Sequence, residues 1–262
     1  MQLQTASVSD PGGRPRNEDA HGQWQHGALF VSVVADGAGG HGGGDAASRI
    51  AVDTVIGELT RVAAASGVAL TGANLLRVLL RANDAIVDAQ EHDRDLAQMR
   101  STAALLGIDQ DTGFAAWAHC GDTRLYCFRR GATIVQTQDH SLVQSMIDAN
   151  LLDTRDARSH PRRNVLFSAL GTSDDLSIAA SDDPFPVAEG DAFLLCTDGF
   201  WEYLDESVMI AAIGRAQTPA DWLDAMVTRL RETARPNNDN FTASAVWIGN
   251  ASQTTVLQMP AG

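Results

Sequence analysis

Asp36 and Asp198 stand in the same local construction: each closes an apolar run and is followed at once by glycine, in LFVSVVAD-G (29–37) and AFLLCTD-G (192–199). A buried strand that delivers a carboxylate to a turn poor in side chains holds a charged ligand at a sheet edge, because glycine lets backbone and ligand come close. Two further acidic points repeat the pattern. Glu18-Asp19 follows the turn Asp10-Pro11-Gly12-Gly13, and Asp239 sits just before the apolar run 241–248. Carboxylates gathered this way repel one another unless cations lie between them, and an all-oxygen set selects hard divalent ions, Mg2+ or Mn2+. Two such ions a few ångströms apart can share a water, lower its pKa and aim it as hydroxide at phosphorus. Arg14 supplies what a carboxylate-rich pocket otherwise lacks, a bidentate grip on phosphoryl oxygens.

The same residues admit other readings. Gly37, Gly39 and Gly42 fit the spacing G-x-G-x-x-G, which between a strand and a helix suggests dinucleotide phosphates at a helix N-terminus. Asp36 in a tight exposed turn would do no chemistry. Asp122, in Gly121-Asp122-Thr123-Arg124, reads as well as a hairpin turn residue. His41 titrates in the range of a general acid for a leaving alkoxide, and is equally a loop residue.

The elements that must position these groups follow from hydrophobic periodicity. Residues 3–9 alternate as a first strand, a hairpin turn at His26-Gly27 leads into 29–35, and that run is apolar on both faces, so it is covered on both sides. Helices are expected over 45–65 and 71–91, each with an apolar stripe near 3.6 spacing. Strands over 102–108, 114–120, 125–128 and 133–136 are spaced as a meander. A helix capped by Asp139-His140-Ser141 reaches 150, and a short one covers 154–160. Strands resume at 165–170, 176–180 and 192–196, helices at 207–216 and 219–234, and a last strand at 241–248. Runs of strands interrupted by helix pairs, without strict alternation, argue for an α+β fold. The expected architecture is a central antiparallel β-sandwich flanked by helix pairs on both faces, in α-β-β-α layers. That weakens the dinucleotide reading, which needs a βαβ unit. Residues 1–250 are expected to form one catalytic domain, with 141–164 as a mobile flap and 251–262 as a loose tail.

The chain of 262 residues is 44% hydrophobic and 20% charged, ordinary for a globular protein. Its net charge of −14 argues against a phosphate-backbone partner such as nucleic acid. Cys120, Cys127 and Cys196 lie in or beside apolar runs at no zinc-like spacing, which reads as reduced core thiols of a cytoplasmic protein. With neither a signal-peptide pattern nor an apolar run near the roughly 18 residues of a membrane span, no membrane association is expected.

Arg14-x-x-Asn17-Glu18-Asp19, Asp36-Gly37-x-Gly39-Gly40-His41, Gly121-Asp122-Thr123-Arg124, Asp139-His140-Ser141, Thr197-Asp198-Gly199 and Asp239-Asn240 resemble, in that order, the motifs of the metal-dependent (PPM, or type 2C) protein serine/threonine phosphatases in their compact bacterial form. The resemblance covers about residues 3–249. It implies that Asp36 bridges two Mn2+ or Mg2+ ions, that Asp19 or Glu18, Asp198, Asp239 and the Gly37 carbonyl complete their shells, and that Asp122 with Asp198 takes a third, weaker ion. Arg14 would bind the substrate phosphate, carried by phosphoserine or phosphothreonine on a protein. The enzyme would act as a monomer and oppose a bacterial Ser/Thr kinase. The runs 198–203 (DGFWEY) and 235–240 (RPNNDN) further resemble phosphatases that accompany type VI secretion. A non-catalytic metal-binding regulatory module of the same fold is the alternative. Two departures from the family pattern stand out: Leu166-Phe167-Ser168-Ala169-Leu170 replaces a polar Thr-Arg, and Arg100-Ser101-Thr102 stands where Gly-Thr-Thr is usual.

Overall fold

The computed structural model describes residues 1–39, 43–66, 69–158 and 160–249. Two antiparallel sheets face each other. One has the order β1-β11-β10-β6-β7, from β1 (Leu3–Asp10), β11 (Phe241–Ile248), β10 (Ala192–Cys196), β6 (Arg124–Arg129) and β7 (Ala132–Gln136). The other runs β2-β3-β4-β5-β8, from β2 (Asp19–His26), β3 (Leu29–Ala38), β4 (Arg100–Asp109), β5 (Phe114–Cys120) and β8 (Ala179–Ala180), with β9 (Phe185–Pro186) also on β5. Helices α1 (Gly43–Ser66) and α2 (Gly72–His92) cover the second sheet; α5 (Asp198–Trp201), α6 (Glu206–Ile213) and α7 (Pro219–Thr233) cover the first. The α+β sandwich between helix layers is the architecture the sequence implies.

Strand periodicity of two builds this layering directly. Along β3, Val31, Val33 and Ala35 pack under α1 and α2, while Phe30 and Val34 pack between the sheets against Phe193, Leu195 and Val246. Ser32, on that inner face, bonds Ser244 of the opposite sheet at 2.9 Å. The inner row of β3 therefore reads Phe30, Ser32, Val34, Asp36. It begins in dry core and ends in a carboxylate.

Three expectations give way. The four-strand meander splits, because β4–β5 lie in one sheet and β6–β7 in the other. Gly121-Asp122-Thr123 is therefore no hairpin but the corner where the chain crosses between sheets. Strands over 165–170 and 176–180 reduce to isolated bridges at Leu166 and Leu170 and to the two-residue β8. The cause is that Val165 and Phe167 are exposed and have no sheet to join. Finally, Asp198 starts a one-turn helix, α5, capped at Thr197, instead of a loop.

The expected flap contains α3 (Leu142–Asp148) and α4 (Thr154–Ala157). Arg158 pairs with Glu206 at 2.8 Å and Arg163 with Glu202 at 2.6 Å, tying the segment to the α5–α6 region. The three cysteines are buried and free. Among the described residues no helix is long and apolar enough to cross a membrane. The tail beyond 249 lies outside the described residues.

Candidate active site

The strand ends and connections that carry Asp19, Asp36, Asp122, Asp198 and Asp239 lie at one end of the sandwich. Asp19 opens β2 and sits directly opposite Asp36 near the end of β3. Asp36 is also opposite Thr102 of β4. The corner bearing Asp122 joins β5 to β6, Asp198 follows β10, and Asp239 precedes β11, whose first residue pairs with the last of β1.

The two Asp-Gly pairs have one steric reason. A Cβ on Gly37 would run into the carbonyl oxygens of Gly44 and Glu18, and one on Gly199 into the carbonyl of Asn240. Each glycine lets a second chain segment press against the aspartate's own backbone. The Gly37 carbonyl and the Glu18 carboxylate share a wall, since each has an oxygen 2.8 Å from where a side chain on Gly44 would begin. Gly37 N–H donates to the Glu18 carbonyl at 3.1 Å, and the Ser101 hydroxyl donates to the Asp36 carbonyl at 2.9 Å.

The carboxylates share one electrostatic field. Burial lifts Asp36 well above the usual carboxylate range, and Asp19, Asp198, Asp122 and Asp239 lift it further. Asp198 is raised in the same way, by burial and then by Asp122, Glu202, Asp239 and Asp19. Asp122 is pushed up to about 7, by burial and then by Asp139, and Asp19 to about 6, by burial against hydrogen bonds from Thr242, Thr197 and Asp36. Glu18 rises through burial, Asp45 and Asp239, partly offset by Arg14 and Arg16. Asp36 and Asp198 are closely surrounded by protein yet keep part of their surface open to solvent, so burial first and the neighbouring carboxylates second raise them at a mouth that a ligand can reach.

Asp19 supplies the test of what fits there. The Thr197 hydroxyl donates to its Oδ2 at 3.0 Å, while its Oδ1 is buried without any partner. An orphaned carboxylate oxygen costs about 1–3 kcal/mol. With that oxygen unpartnered and four more aspartates in the same field, the residues present fit a divalent cation. Among the described residues no three His, Cys, Asp or Glu side chains already converge as ligands. Asp239 is instead engaged by Arg14 at 2.9 Å, and Asp19 by Thr197 and Asp36.

Arg14 is thus at the site, half exposed, with its guanidinium on an acid. His41 lies outside the described residues. Two supports went unread in the sequence. Thr197 bonds Asp19, and its backbone joins β11 by donating to the Thr242 carbonyl at 3.0 Å. Asn240 accepts from Glu18 N–H at 2.8 Å and donates to the carbonyls of Pro11 and Arg16 at 2.9 and 2.8 Å, clamping the loop that carries Arg14. Their positions inside the Thr-Asp-Gly and Asp-Asn motifs were the signal. A groove of about 600 Å3 between α1 and α2 contains none of these residues.

A sandwich that brings five aspartates to one end, one of them with an unpartnered buried oxygen, fits a metal-assisted hydrolase. The chain matches the model of the family described as protein phosphatase 2C over residues 13–239. It belongs to that family and is a protein serine/threonine phosphatase. It is 29% identical over 236 residues to the serine/threonine phosphatase stp of Listeria innocua, covering 89% of this chain and 90% of the relative. PppA, described as a key regulatory component of T6SS in Pseudomonas aeruginosa, superposes with a TM-score of 0.71 at 29% identity, over 94% of this chain and 98% of that one. The catalytic domain of the phosphatase PstP, solved in complex with two manganese ions, superposes with a TM-score of 0.75 at 24% identity, over 94% and 98%. The dinucleotide reading falls here: β3 and β4 are antiparallel and two helices separate them, so there is no βαβ crossover.

Proposed function

We propose that the acidic end of the sandwich holds two divalent cations, Mn2+ or Mg2+, and hydrolyses phosphoserine and phosphothreonine on proteins. Asp36, central in the field, would bridge them, with Asp19, Asp198, Asp239, Glu18 and the Gly37 carbonyl around it, and Asp122 with Asp198 would take a further ion. Bound ions of this kind act as Lewis acids on phosphoryl oxygens and lower the pKa of a bound water. The chain's own residues do the rest. Arg14, on a loop clamped by Asn240, would grip the incoming phosphate where a bound ion takes over Asp239. Thr197 holds the Asp19 carboxylate in one orientation. His41 remains the proposed donor of a proton to the leaving alkoxide.

The observation that carries this reading is the unpartnered Asp19 Oδ1 inside a shared acidic field. The manganese complex of a protein of the same fold supports the choice of ion. The likeness to PppA, described as a key regulatory component of T6SS, supports a part in type VI secretion control; that the enzyme opposes a Ser/Thr kinase there, in the cytoplasm, belongs to the same proposal. The test is hydrolysis of a phosphothreonine peptide and p-nitrophenyl phosphate with and without Mn2+, on the natural chain and Asp36→Asn. Mn2+-dependent turnover that falls by about two to three orders of magnitude in the variant is expected, since losing a bridging ligand removes several kcal/mol of transition-state stabilisation. Equal rates would sink the reading.

A further inference from the structure

The corner that carries Asp122 is held more tightly than a loop needs. The Thr123 hydroxyl meets that of Thr102 at 2.5 Å, His140 N–H donates to the Gly121 carbonyl at 3.0 Å, and Gly121 N–H returns to His140 Nδ1 at 3.2 Å. The Asp122 carbonyl itself accepts the indole N–H of Trp201 at 3.0 Å. Trp201 stands on the same helical turn as Asp198, three residues on, with its backbone N–H at 3.3 Å from the Thr197 carbonyl. One side chain therefore ties the Asp198 turn, on one sheet, to the Asp122 corner between the sheets.

Trp201 is itself fixed. The Arg124 guanidinium lies 3.5 Å from its ring centroid, and Arg124 is locked by two 2.8 Å bonds to Asp139 and a 3.0 Å bond to the Tyr126 hydroxyl. Cation–π stacking on a desolvated ring is strong enough to hold the indole's orientation. A buried, charge-braced ring whose only polar atom reaches the backbone of Asp122 spans from the turn that bears Asp198 to the corner that bears Asp122. Packing alone would not require this arrangement, because a phenyl ring would fill most of the same space.

We propose that Trp201 is a positioning residue, setting the distance between Asp122 and Asp198 and with it the affinity for the cation those two share. The inference rests on the metal-site reading above. Two carboxylates that repel each other spread apart without a cation, and the affinity of their shared site depends on how little that spreading is allowed. The indole hydrogen bond is the restraint that crosses between them.

The experiment is calorimetric titration of the metal-free full chain with Mn2+, alongside the Mn2+ dependence of p-nitrophenyl phosphate hydrolysis, for the natural chain, Trp201→Phe, Arg124→Lys and Asp122→Asn. Trp201→Phe keeps the ring over Arg124 and loses only the donor. It is expected to weaken the ion event that Asp122→Asn abolishes by about fivefold to tenfold, the worth of one buried hydrogen bond. The other ion events should stay in place, and kcat at saturating Mn2+ should remain within about twofold. Arg124→Lys should shift the same event in the same direction, since Lys cannot reproduce the planar fork against Asp139. A tryptophan that merely stabilises the fold would lower the unfolding temperature and kcat together without moving the Mn2+ midpoint, and that result overturns the proposal. So does an unshifted midpoint in Trp201→Phe for the event that Asp122→Asn abolishes. If the natural chain shows no ion event and no Mn2+-dependent hydrolysis, the site reading itself has failed, and the proposal with it.

Discussion

In the proposed function, substrate binding breaks the contact between Arg14 and Asp239 at the acidic end. The pair is half exposed on both sides, at 2.9 Å. Exposed pairs contribute only about 0–1 kcal/mol, so exchanging Asp239 for a dianionic phosphoryl group costs little and gains a bidentate partner. Arg14→Ala is therefore expected to raise KM for a phosphopeptide about tenfold or more, while unfolding free energy moves by no more than about 0.5 kcal/mol. Steady-state kinetics with thermal unfolding of the same preparation checks both. A fall in kcat at unchanged KM would mean that Arg14 does something other than hold phosphate.

At the scale of elements, the site depends on two segments pressing where a side chain would stand. In Gly199→Ala the new methyl meets the carbonyl of Asn240, a backbone atom that cannot swing aside. Forcing α5 from β11 should cost about 1–3 kcal/mol, as overpacking does, and should lower activity as well, because Asp198 and Asp239 flank the strained contact. An unchanged unfolding temperature would show that the two segments separate freely. This dependence on close approach also explains what was legible beforehand. The Asp-Gly pairs are local signals, and the run 29–35, apolar on both faces, announced a strand covered on both sides, so Asp36 and Asp198 could be placed at strand ends. The route from β5 to β6 was not legible. The spacing of 114–120 and 125–128 fits a hairpin, and only the contacts of each strand's two faces across the sandwich send the second strand to the other sheet. Asp122, which reads locally as a turn residue and is joined to Asp198 in the sequence only by the family resemblance, thereby comes close enough to raise it. Likewise 165–170 has the composition of a strand, but no free sheet edge awaits it, and tertiary context overrides propensity. Trp201, inside the run 198–203, carries no local signal of its contact, because its N–H reaches Asp122 only through the same crossing.

For the whole molecule, the acidic end stores a pH dependence whose sign can be worked out. An unfolded aspartate ionises near 3.8, whereas in the metal-free fold Asp19 is raised to about 6, Asp122 to about 7, and Asp36 and Asp198 well above the ordinary range. Between those values the native state keeps protons that the unfolded chain has released, so these groups make stability fall as pH rises. Buried His119 and His140 act oppositely, because burial lowers both, His140 to about 4, and their contribution is lost as pH falls below 6.5. Above pH 6.5 the histidines are neutral in both states, and only the carboxylates remain to act. In EDTA, the unfolding temperature is thus expected to drop from pH 6.5 to 8, and Asp36→Asn, which removes the most crowded charge, should be more stable than the natural chain at pH 8 and show a shallower slope. Mn2+ should reverse the order. Ions that bind only the native carboxylates displace the retained protons and add about 2.7 kcal/mol for each site at a hundredfold excess over its Kd, so the natural chain should rise and flatten while Asp36→Asn gains little. Thermal unfolding across that pH range, with EDTA or with Mn2+, measures all four curves. An Asp36→Asn curve lying below the natural chain in EDTA would mean that the aspartates do not repel one another in the metal-free fold, and the shared acidic field would have to be abandoned.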